Sequence, residues 1–119
     1  MLQLCKKICN ECPFKKGSLQ GWLGGVMDVE EVHENMKLEF PFACHKQLGE
    51  DKHTNEIKMF LGQIQVCRGY IASATKGAKM FGGSGTQLSF HLRELQKEIT
   101  VEDKELVMPI WEFKKYHNG

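Results

Sequence analysis

The chain has 119 residues, 41% of them hydrophobic and 26% charged, and its 16 Lys and Arg against 15 Asp and Glu leave a formal charge of +1. That length fits one domain with a modest core, near the size where an added staple is useful, and the charge balance excludes a global pull toward nucleic acid or membrane. No stretch approaches the ~20 apolar residues of a membrane span, and the opening, with Lys6 and Lys7 and neither apolar run nor small-residue cleavage site, reads as that of a cytoplasmic protein.

Residues 1 to 17 are basic and rich in cysteine, and Gly21-Trp22-Leu23-Gly24-Gly25 reads as loop. Asp28 is placed to cap a short helix from about Val29 to Leu38, with Val32 and Met36 on its apolar side, Glu30 and Glu31 in the first turn and Lys37 near the end. Phe40 precedes Pro41 and is held out of helix, so Cys44 arrives on a strand or extended loop. Asn55 then caps the strongest helix of the chain, from about Glu56 to Ala74, in which Ile57, Phe60, Leu61, Ile64, Tyr70 and Ile71 recur at three- and four-residue spacing and Cys67 lies within the same turns. Four glycines between Gly77 and Gly85 end it in a mobile loop or a tight set of turns. A third helix runs from about Leu88 to Glu98 on Leu88, Leu92, Leu95 and Ile99. Thr100 with Asp103 resembles a capping box with Asp in place of Glu, and the tail through Trp111 and Tyr116 adds a last helix bent near Pro109.

The chemistry sits in the cysteines. Five in a reducing compartment point to metal ligands or unpaired thiols, and an odd number fits complete disulfide pairing poorly. Cys9 and Cys12 form a C-x2-C pair, a spacing at which one tight turn aims two sulfurs at one centre while its amide groups offset thiolate charge. Cys44 and Cys67 stand singly and complete a set of four, with His45 and Cys5 as substitute ligands. Structural zinc is most often held by two compact pairs, whereas a [4Fe-4S] cluster presents four separate iron corners that suit scattered cysteines, so the cluster leads zinc. Pro13, directly after Cys12, also follows ligand cysteines in ferredoxins. Cys5, Cys9 and Cys12 spell C-x3-C-x2-C, the spacing of radical S-adenosylmethionine enzymes, but this chain is too short for their partial barrel and shows no alternating strand and helix pattern. The plain alternative for Cys67 is a buried small apolar residue.

Together, Cys9, Cys12, Pro13 and Phe14, then Phe42, Cys44 and His45, then Cys67 and Gly69 give the order C-x2-C-P-aromatic, F-x-C-H, C-x-G. This pattern, over roughly the first 70 residues, resembles a family of short uncharacterised phage and bacterial proteins, and also small phage-encoded iron-sulfur proteins. The resemblance implies a four-cysteine centre in a compact domain, acting inside a host cell if the protein is viral, and it implies no reaction.

Other features carry less. His45 adjoins Cys44 and is a candidate ligand or hydrogen-bond donor, while His33, His53, His91 and His117 read as surface or cap residues. Gly82 to Thr86 precedes a helix but lacks the lysine of a P-loop. Lys6, Lys7, Lys15 and Lys16, with Phe14 and Trp22, could form a basic aromatic surface for nucleic acid, or the lysines could simply offset thiolate charge. No nucleophile and base pair is readable, so an enzyme is expected only if one cluster corner is open.

The expected fold is α-rich or α+β: one small domain over 1–119 with irregular loops organised around a four-cysteine metal centre, its ligands within 5–70 and a helical part at 86–117. The expected function is a phage-type iron-sulfur protein in which Cys9, Cys12, Cys44 and Cys67 hold one [4Fe-4S] cluster for a regulatory or redox role in the host. The alternative is a zinc-stabilised module contacting nucleic acid or a host protein through its basic N-terminal face.

Overall fold

The computed structural model describes residues 2–8, 12–18, 29–42, 54, 57–59 and 61–118. Five named helices follow one another: α1 (Val29–Lys37), α2 (Arg68–Lys76), α3 (Gln87–Gln96), α4 (Val101–Leu106) and α5 (Ile110–Asn118). Among the described residues strand pairing is confined to two isolated bridges, Leu4 with Val66 in parallel and Lys15 with Val107 antiparallel. The fold is therefore helix-rich, and no helix of the described residues is long and apolar enough to cross a membrane.

The sequence of α2 makes it the centre. Gly69, Ala72, Ser73 and Ala74 are small enough for neighbours to approach from several sides, and every residue from Gly69 to Ala74 is buried. Helices α3, α4 and α5 pack on it, and α1 packs on α5. Its polar groups find partners: the Ser73 hydroxyl donates to the Met108 carbonyl at 2.7 Å and the Tyr70 phenol to the Phe40 carbonyl at 2.7 Å. Beside it lies an aromatic cluster around Phe14, which stacks on Phe113 with ring centroids 4.4 Å apart and meets Phe42 and Tyr70 edge-on, both at 5.6 Å. Phe14 is fully buried.

The long second helix expected over Glu56 to Ala74 is instead broken. Residues 57–59 are helical, the chain turns at 61–62 with Gly62 at φ 78°, and Cys67 is extended at φ −61°, ψ 120° immediately before α2. Ile64 and Val66, two apart, are both buried as in a strand, while Ile57 and Leu61 are exposed, so the apparent helical spacing joined residues of different elements. The last helix is also two: Val107 is extended at φ −114°, ψ 157° and pairs with Lys15, and Pro109, which has no N–H and favours extended backbone before it, separates α4 from α5.

Other expectations hold. α1 and α3 lie within two residues of their expected bounds, and Thr100 and Asp103 close a capping box: the Asp103 N–H donates to Oγ1 of Thr100 at 3.1 Å and the Thr100 N–H to Oδ2 of Asp103 at 2.9 Å. The glycine-rich segment is a set of turns fastened from α1's end. Glu39, buried and itself at φ 59°, accepts from the Gly82 and Ser84 N–H groups at 3.1 and 3.2 Å, so these two amides serve the chain's own carboxylate.

Asp103 also takes Arg68, whose Nε lies at 2.9 Å and Nη2 at 2.8 Å from Oδ2. Burial pushes the Asp103 carboxyl up, but the Arg68 hydrogen bond, the Thr100 amide and the guanidinium charge together bring it below the usual aspartate value. A folded value below the unfolded one stabilises the fold at pH above the unfolded value, about 3.9, and that stabilisation is lost as pH falls through the folded value. Urea midpoints measured from pH 6 to pH 3 should therefore fall, and Asp103→Asn should lower the pH 6 midpoint while flattening the acid slope. An unchanged slope would remove Asp103 from the acid response.

Candidate metal centre

Cys12 opens a turn in which its carbonyl accepts the Lys15 N–H at 3.1 Å. Cys67 ends the extended segment before α2, its own N–H held by the Phe42 carbonyl at 2.7 Å. These two residues, 55 apart in sequence, bring their sulfurs to 3.8 Å, and both are buried. That is a hydrogen-bonding separation, far beyond the ~2.05 Å of a disulfide. It also matches one edge of a tetrahedron: two thiolates at ~2.3 Å from a single zinc ion lie about 3.8 Å apart. Thiolates on different corners of a [4Fe-4S] cube stand farther apart, because each extends outward from its own iron.

Three features adapt the place to a thiolate. The Cys12 thiol is held below the ordinary cysteine value by the hydrogen bond from Cys67, then against the opposing effect of burial by the Phe14 and Lys15 amides and the Lys15 charge. The sulfur also rests on the first turn of α2, the positive end of that helix's dipole. Finally, Gly69 makes the approach sterically feasible: a Cβ built there would lie 2.2 Å from Cys12 Sγ and 3.5 Å from Phe14 Cβ.

Cys9, Cys44 and His45 lie outside the described residues, as do Trp22 and His53. The structure thus brings together two of the four expected ligands, and among the described residues there is no group of three or more His, Cys, Asp or Glu placed to hold a metal. Cys5 is buried beside this place in the chain's register: Leu4 pairs with Val66, and the Cys5 N–H donates to the Val66 carbonyl at 2.9 Å. Arg68, one residue past Cys67, fixes the Cys5 carbonyl through Nη1 at 3.1 Å and the Glu98 carbonyl through Nη2 at 2.7 Å.

Two expected roles change. Phe14 is sealed in the aromatic cluster and so is unable to stack on a nucleic-acid base, while Lys6, Lys7 and Lys16 are each exposed. His117 is not a surface residue: it is buried, tilted against the Phe113 ring at 4.8 Å, and its Nε2 lies 2.8 Å from the Pro13 carbonyl oxygen. The sequence offered one sign of this, since Phe113 and His117 are four apart and so share a helix face. Comparison with protein-family models, curated proteins and solved structures finds no match.

Proposed function

We propose that this is a small non-enzymatic domain in which Cys9, Cys12, Cys44 and Cys67 hold one zinc ion, and that the metal staples a module whose exposed N-terminal lysines meet an acidic partner. The observation that carries this reading is the Cys12 and Cys67 sulfur pair at 3.8 Å, a separation suited to one ion. The missing Cβ at Gly69 supports it, because it leaves room for the Cys12 sulfur against the first turn of α2. Zinc would supply cross-linking rather than chemistry, tying the turn at Cys12 to the start of α2. The second reading is the [4Fe-4S] cluster of the phage-type resemblance, favoured by the wide sequence separation of the single cysteines.

Elemental analysis with an optical spectrum on protein purified without oxygen separates them. The expected result is about one zinc per chain and no broad visible absorption. About four iron and four sulfide with a brown colour would establish the cluster instead, and neither metal in stoichiometric amount would end both readings. Cys67→Ser should lower zinc affinity by at least ~100-fold, since it removes a ligand; retention of full zinc content would overturn the ligand assignment.

A further inference from the structure

The segment from 106 to 117 is fastened at both ends to the cysteine-bearing turn and the residues that follow it. The Lys16 N–H donates to the Leu106 carbonyl at 2.9 Å and the Met108 N–H to the Phe14 carbonyl at 2.9 Å. From α5 the Tyr116 phenol donates to the Ser18 carbonyl, and His117 reaches the Pro13 carbonyl at 2.8 Å. Because a carbonyl oxygen only accepts, Nε2 of His117 carries the proton. A buried imidazole costs desolvation that a phenylalanine on the same Phe113 face would avoid, and this one directs its donor to the residue that follows Cys12.

We propose that His117 is a positioning residue for the metal centre: from α5 it fixes the Pro13 peptide and thereby the orientation in which Cys12 meets the ion. The inference rests on the four-cysteine reading above. The Pro13 carbonyl also accepts from the Ser18 hydroxyl at 3.1 Å, so it keeps a partner when the imidazole donor is removed. Loss of the donor should therefore affect metal binding more than folding.

Co2+ is the probe, with His117→Phe, which keeps a ring on Phe113 but has no donor, and His117→Gln, which restores an N–H near the Nε2 position. Affinity is read by chelator competition, thiolate coordination by the near-ultraviolet sulfur-to-cobalt charge-transfer band, and folding by metal-free melting. His117→Phe should bind Co2+ about 10- to 100-fold more weakly, the usual effect of losing a group that orients a ligand, while melting as the wild type does without metal. His117→Gln should recover most of the affinity. Wild-type affinity in His117→Phe, or equal losses in both variants, would overturn the assignment and leave the metal reading standing. Absence of the band in the wild type would overturn the metal reading and this proposal with it.

Discussion

Gly69→Ala should destabilise the metal-free protein by about 3 kcal/mol and, on the proposed zinc reading, cost most of the metal affinity, although alanine is the better helix former by about 1 kcal/mol. The added methyl would sit 2.2 Å from Cys12 Sγ, and the helix carrying it is buried against α3, α4 and α5, so the sulfur and not the helix must give way. The sulfur must swing away, which opens the 3.8 Å pair with Cys67. Thermal melting of Gly69→Ala, Cys12→Ala and the double variant isolates the cause: deleting the sulfur relieves the clash, so the double variant should be more stable than the sum of the single losses predicts. Strict additivity would mean that the glycine is there for another reason.

Phe14→Ala should cost about 4 kcal/mol, a large part of the 5–15 kcal/mol that holds a typical domain folded. Phe14 has no exposed surface and fills the space between Phe113, Phe42 and Tyr70, which come from α5, the segment after α1 and α2. Removing the ring leaves a cavity bounded by three elements that α2 and α5 keep from collapsing. Phe14→Leu should lose far less, near 1–2 kcal/mol, because it refills most of the volume without the ring contacts. Urea unfolding of the two variants checks the difference, and equal small losses would show that the cluster does not hold the 12–18 segment in place.

Much of this was legible where signals are local. Glu30, Glu31 and Lys37 mark α1 by charge, and Thr100 with Asp103 marks α4 by its cap, because helix ends are decided within a turn. The start of α2 was not legible, since Ile57, Leu61 and Ile64 continue the spacing of Tyr70 and Ile71 across Gly62 by coincidence of two elements. At the centre, the C-x-G ending marked Cys67 and Gly69, but the closeness of Gly69 to Cys12 depends on how α2 meets a loop 55 residues earlier. The bracing by Val107, Met108 and His117 left no periodic trace, because single bridges and single side-chain bonds pair residues without a repeating pattern.

The contacts of His117 with Pro13 and of Tyr116 with Ser18 span 104 and 98 residues. Closing so long a loop is entropically costly and slow compared with forming a helix or hairpin, so these contacts form late. On the ribosome, where the chain emerges from its N-terminus, Cys12 is made well before the helix that fixes its peptide. The nascent chain therefore carries an exposed Cys12 thiol that only the finished fold turns inward.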